Sequence, residues 1–219
     1  MQINTEEGNT RTAIATAHYT AGVVSDRFDN SAWAQAQPIR IASLWSGEQA
    51  PVSRHAEVRI IWSEESLAVR FVYAQNELPI VSANPQLNKK TIGLWERDVC
   101  EIFIAPDSQA PQRYFEFEAA PTGEWVDLAI DFTDNGRETN FEFHSGMTVA
   151  AMIGKNETII AMSVPWSVWL PKPQRGDVWR VNLFRCVGVG NERYLAWQPT
   201  YSVEPNFHVP EVFGWLDFA

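Results

Sequence analysis

Apolar positions along this chain recur every second residue in short runs, and each run ends in Gly, Pro, Asn, Asp or Ser. Residues 57 to 74, EVRIIWSEESLAVRFVYA, hold two runs of β-branched and aromatic residues around the polar break Ser63-Glu64-Glu65-Ser66. In the second run Leu67, Val69, Phe71 and Tyr73 alternate with Ala68, Arg70, Val72 and Ala74, which predicts a β-hairpin. The segment ELPIVSANPQLNKKTIG that follows is rich in Pro and Asn and reads as a long loop, a class of segment that often carries function. DVCEIFIAP and RYFEFEAAP form a second predicted strand pair, with Tyr114, Glu116 and Glu118 on one face and Phe115 and Phe117 on the other. That polar face must be wet or occupied by a ligand. WVDLAIDF, MTVAAMIG, TIIAMSVP and WRVNLFRCVGVG are further short strands bounded by turn residues.

Helical patterning is scarce. Ser31 to Gln37 suits one turn or two before Pro38, and Trp166 to Leu170 another before Pro171. The spacing is that of an all-β sandwich or barrel, and the fold expected is an antiparallel β-sandwich of immunoglobulin-like or jelly-roll-like type with few short helices. A length of 219 residues fits one domain over 1–219, with residues 1–22 as a loosely attached N-terminal segment.

The 17 Lys and Arg against 27 Asp and Glu give a net charge of -10. Such a surface repels phosphate backbones, so neither nucleic acid nor an anionic membrane is an expected partner. The opening MQINTEEGNT carries no basic and apolar leader, and no apolar run reaches membrane-spanning length. A cytoplasmic location is expected of the chain as written, and an exported one if a signal has been removed. Cys100 and Cys186 sit in apolar runs 86 residues apart and read as buried free thiols, with a bridge across the core as the alternative. The four histidines lack metal-binding spacing, and no phosphate-cradling glycine motif occurs; Gly188 to Asn191 reads as a hairpin turn.

Ten tryptophans and twelve phenylalanines stand out, since large aromatics either fill a core or offer flat faces to ligands. Within LWERDVCEIFI, Trp95 ends a loop and Glu101 follows six residues later in a strand. An indole stacks on the apolar face of a sugar while a carboxylate accepts its hydroxyl protons. On spacing alone, the same two residues also read as a core cap and an ion-pair partner.

That run resembles the Trp-x-x-Asp-x-x-Glu signature of the family 9 carbohydrate-binding modules and their DOMON-like relatives. DRFDNSAW (Asp26 to Trp33), VPWSVWL, GDVWRVNLFR and the closing YLAWQPTYSVEPNFHVPEVFGWLDF are similar to further elements of the family in the same order, across residues 23 to 219. The resemblance implies a β-sandwich whose slot grips the terminal ring of a glucan or xylan between two aromatics. Trp95 falls on the first aromatic, Phe207 on the second, where well-known modules carry tryptophan, and Glu101 on a sugar-binding carboxylate. Glu116 falls near a position where the family has a sugar-contacting arginine. His208, beside the slot, and the closing Trp197 complete the candidate set.

Glu101, Glu116 and Glu118 repel one another and call for water, a cation such as Ca2+, or an arginine, with Arg97, Arg113 and Arg185 as candidates. The expected function is non-catalytic binding of an oligosaccharide or polysaccharide end. Paired carboxylates also serve glycosidases, but no catalytic site follows from sequence. Two other readings stay open. One is a DOMON-like haem domain using Met147, Met152, Met162 or His208; the other is an interaction module without a small ligand.

Overall fold

The computed structural model describes residues 13–22 and 31–219. The candidate motif at Asp26 to Asn30 lies outside them. Fourteen strands run β1 (Ile14–Tyr19), β2 (Ile39–Ile41), β3 (Ser43–Leu44), β4 (Ala56–Trp62), β5 (Ser66–Ala74), β6 (Val99–Ala105) and β7 (Arg113–Ala119), then β8 (Trp125–Thr133), β9 (Gly136–Asn140), β10 (Thr148–Ile153), β11 (Glu157–Pro165), β12 (Val178–Cys186), β13 (Tyr194–Ala196) and β14 (Gly214–Phe218). They join in the order β10-β11-β5-β4-β1-β14-β12-β6-β7-β8-β9, with β2, β3 and β13 attached to the side. The predicted hairpins β4–β5 and β6–β7 are both present and antiparallel. So is β12–β13, across the turn at Gly188 to Asn191.

The ladder curls so that its halves face each other, as in a sandwich. Val69 and Phe71 of β5 meet Ile102 and Leu183 of β6 and β12 in one main core. The sheet departs from a purely antiparallel one at β1, which pairs in parallel with both β14 and β4. This also corrects the expected loose N-terminal segment over its described residues, 13–22, while residues 1–12 lie outside the described residues. Ile14–Tyr19 is an interior strand that joins the two halves, with Ala15 and Ala17 buried in the core. Its alternation IATAHY is weak because small alanines face the crowded centre, which hides the strand from periodicity.

Each half also buries part of its outer face. A 3-10 turn at Ser31–Ala34 sets Trp33 over Ile61 and Ala68, so the first expected helix is a single turn. The second is absent. The Ser167 hydroxyl accepts from the amides of Trp169 and Leu170 and forms a turn there instead. On the other half, Val99, Phe103, Tyr114, Leu128 and Phe184 form a second cluster, which Leu94, Phe207 and Phe213 cover from loops. No helix among the described residues is long and apolar enough to cross a membrane.

Candidate functional site

β6 is buried along both faces, which explains its nearly unbroken apolar run. Cys100, Ile102 and Ile104 point into the main core, while Val99, Glu101 and Phe103 point outward. Cys186 belongs to the outer cluster and Cys100 to the main core, so the two free thiols lie on opposite sides of the sheet. Burial pushes the Cys100 thiol up to about 12. On β7 the predicted alternation holds, and Glu118 stands directly opposite Glu101 with Glu116 two residues back on the same face.

Above this acidic floor lies a cavity of about 420 Å³, within the size range of small-ligand sites. It brings together Trp95, Glu101, Glu116, Phe207 and His208. Another depression, of about 480 Å³, lies beside Phe115, Asp131 and the exposed Trp169 and holds none of the candidates.

Trp95 sits in a 3-10 turn, Leu94–Glu96, entered through Gly93 at φ +82, a conformation that favours glycine. Buried Leu94 pins the turn, and Arg193 donates to the carbonyls of Arg97 (2.8 Å) and Trp95 (3.4 Å). The indole is left half-buried against the outer cluster. Asp98, the next motif residue, is structural. Its Oδ1 accepts from the Gly188 amide at 2.8 Å, fixing the β12–β13 turn.

Phe207 is less open than a two-ring slot predicts, at 9% exposure. One face stacks on Phe184 with centroids 4.0 Å apart, and the Tyr194 ring meets it edge-on at 5.9 Å. What remains of the ring faces the cavity. His208 Nδ1 shares a 2.7 Å hydrogen bond with the Tyr114 hydroxyl. Burial, then the Arg137 charge, lowers the His208 pKa to about 3, so the ring is neutral. Either the hydroxyl or the neutral ring can donate in that bond, and the ring proton sits on Nε2 or Nδ1 accordingly.

Glu101, Glu116 and Glu118 are 2%, 3% and 0% exposed. Burial, then the charge of Glu116, pushes the Glu101 carboxyl well above the ordinary range. Burial, then Glu101, does the same to Glu118. The expected counter-cations lie elsewhere. Arg97 is 3.7 Å from Glu124, Arg113 pairs with Asp131 at 3.2 Å, and Arg185 donates to the Arg54 carbonyl and covers the Tyr73 ring. The cavity's own guanidiniums belong to Arg137 and Arg193.

Trp197 is not part of the cavity. Its ring packs on the main core, where a Cβ built on Gly214 comes within 2.6 Å of it. Of the proposed haem donors, Met147 and Met162 are buried in the main core, Met152 is exposed on β10, and only His208 reaches the cavity.

The wall formed by Arg137, Thr139 and Phe141 escaped sequence reading. A signal exists, since Asp134-Asn135-Gly136 is hairpin chemistry and Arg137, Thr139 and Phe141 alternate after it. β9 returns on β8 through this two-residue turn, with Thr133 opposite Gly136. Lys90 anchors the wall's end, donating to the carbonyls of Asp127, Phe141 and Phe143 and pairing with the Asp127 carboxylate at 2.7 Å.

The model of the family described as carbohydrate family 9 binding domain-like matches residues 24–218. The chain belongs to this family. Solved structures similar to this family 9-like domain include a Bacteroides uniformis protein proposed to bind carbohydrate, with TM-score 0.71 and 14% identity over 95% of this chain and 100% of that one. A family 9 carbohydrate-binding module from Caldicellulosiruptor kristjanssonii is also similar, in its complexes with glucose and with cellotriose. Both complexes give TM-score 0.59 and 13% identity over 94% of this chain, covering 96% and 93% of the module. At these identities the likeness supports the β-sandwich and no individual contact. No curated protein matches significantly.

Proposed function

We propose that the cavity binds one sugar ring of an oligosaccharide or polysaccharide end without turning it over. The observation that carries this reading is the convergence of a half-buried indole, Trp95, with the carboxyl groups of Glu101 and Glu116 in one cavity. A sugar ring is an amphipathic disc, with C–H groups on its faces and hydroxyls at its rim. An aromatic face plus fixed donors and acceptors at ring height complements that pattern. Trp95 stacks on the ring and Phe207 closes the opposite side with what Phe184 leaves open. Glu101, Glu116 and the His208 ring meet the rim hydroxyls. Arg137 brings a guanidinium to the cavity, so a glutamate at 116, near the position where the family carries an arginine, does not leave the site without one. The C. kristjanssonii module, solved with glucose and cellotriose, supports glucose-type ligands as the first to try.

Isothermal titration of the purified protein with glucose, cellobiose, cellotriose and xylobiose tests the reading. Saturable binding to at least one of them, lost in Trp95→Ala, is expected. Affinity for none of these sugars, or equal affinity in the variant, removes it. Release of reducing sugar from cellulose or xylan above a Glu101→Gln control overturns the non-catalytic part.

A further inference from the structure

We propose that Glu101, Glu116 and Glu118 hold a divalent cation, Ca2+ by the character of their donors, beneath the sugar-binding cavity. The strand register places the three carboxylates together. Glu101 and Glu118 are cross-strand partners, Glu116 shares their face, and one oxygen from each lies within 4.8 Å of the others. Oxygens this close can share one cation, and the adaptable six- to eight-oxygen shell of Ca2+ suits them better than the near-ideal octahedron that Mg2+ demands. An all-carboxylate set also suits a hard cation better than zinc.

A second observation comes from the hydrogen bonds these groups lack. Oε2 of Glu116 and both oxygens of Glu118 are buried and meet no hydrogen-bond donor from outside the cluster among the described residues, a proton shared between Glu116 and Glu118 being the one bond open to them, although most buried polar atoms in folded proteins have a partner. Glu118 is fully buried and does not line the cavity, so a sugar above the floor does not satisfy it. Among the described residues no Lys or Arg forms an ion pair with any of the three. The one basic group within 4 Å is His208, 3.9 Å from Glu116. A cation seated between the strands answers the unpartnered oxygens, and its binding displaces the protons that burial favours on Glu101 and Glu118.

Glu101 and Glu116 do line the cavity. Three carboxylates fill only part of a Ca2+ shell of six to eight oxygens, and the remaining positions open towards the cavity, where water or two adjacent sugar hydroxyls complete them. This last step rests on the sugar-binding reading, and the ion site itself does not.

The test titrates Ca2+ into metal-free protein without sugar, by calorimetry and thermal denaturation, and follows Tb3+ luminescence sensitised by tryptophan. One saturable Ca2+ site and a rise in Tm are expected, with Mg2+ at the same concentration at least tenfold weaker. Glu118→Gln, which changes no cavity-lining group, should weaken Ca2+ binding at least tenfold; Glu101→Gln serves equally if that variant fails to fold. Absence of a saturable site at millimolar Ca2+, or full retention of it in a folded variant, overturns the proposal. Sugar titrations with Ca2+ and with EDTA separate the two readings. Ca2+ binding without sugar binding defeats the sugar assignment alone, and sugar binding indifferent to EDTA with no Ca2+ site defeats the ion alone.

Discussion

The two slot aromatics differ in burial, and this difference predicts that their removal has different consequences. Phe207 is 9% exposed and stacked on Phe184 at 4.0 Å with the rings 12° from parallel. Deleting a buried phenylalanine ring costs ~3–5 kcal/mol. Because one side of this one borders a cavity that water can enter, the lower end, about 3 kcal/mol, is expected for Phe207→Ala. Trp95 is half-buried, and its turn is held by Leu94 and Arg193 through backbone contacts, so Trp95→Ala should cost about 1 kcal/mol of stability. For binding the order reverses. Stacking contributes ~1 kcal/mol beyond area, and covering roughly 40 Å² of indole face at ~25 cal/mol/Å² adds ~1 kcal/mol. The total of about 2 kcal/mol is a loss of ~30-fold in affinity. Urea denaturation supplies the first pair of numbers and sugar calorimetry the second. A Trp95→Ala protein that loses several kcal/mol of stability and keeps its affinity would show the indole to be a core cap, and the argument for the slot would fail.

Three other substitutions probe the frame around the cavity. Burial raises the Asp98 carboxyl above its ordinary range more than the Gly188 amide lowers it. A raised acid holds its proton more tightly folded than unfolded, so wild type should lose stability relative to Asp98→Asn as pH rises from the ordinary carboxylate range through the folded value. Equal pH profiles in chemical denaturation would contradict this. Lys90→Met strips the nearly buried Asp127 of its cation and frees three carbonyls. A loss of ~3–5 kcal/mol is expected, together with faster amide exchange at Phe141, and an unchanged urea midpoint would refute it. In Gly214→Ala the new Cβ meets the Trp197 ring at 2.6 Å and the Ala13 carbonyl oxygen at 2.7 Å. Overpacking of this kind costs ~1–3 kcal/mol; sugar affinity should not change, and a drop in affinity without a drop in Tm would return Trp197 to the site.

What the chain discloses by itself depends on whether a residue's role is local. The β4–β5 and β6–β7 hairpins were legible because each strand alternates against a partner close in sequence, and hydrophobic period plus turn chemistry describe such pairs completely. β1 was illegible for the opposite reason. Its partners are residues 60–62 and 215–218, and small side chains at a crowded junction leave no periodic signal. The candidate site divides in the same way. Trp95, Glu101 and Glu116 occupy or border one hairpin, so motif and alternation together placed them. Trp197 looked like a binding aromatic because a large exposed ring and a large packed ring have the same one-letter code. Its packing on the main core and the close approach of Gly214 distinguish them.

The three glutamates show how far a local pattern extends. Alternation placed Glu116 and Glu118 on one face and made repulsion inevitable, but the candidate arginines Arg97, Arg113 and Arg185 did not supply partners. Each of those guanidiniums is engaged elsewhere, with Glu124, Asp131 or the Arg54 carbonyl. Arg137 and Arg193, the cations that do reach the cavity, come from a hairpin return and a 3-10 turn. Their influence on Glu116 and Glu101 acts over a distance, without an ion pair. A floor that buries a third carboxyl, Glu118, out of reach of the cavity and gives it no donor beyond Glu116 is costly for a domain whose sugar contacts need only Glu101 and Glu116. Retaining that arrangement is understandable if the carboxylates bind something themselves, and that is why the calcium titration bears on the function of the site as well as on its stability.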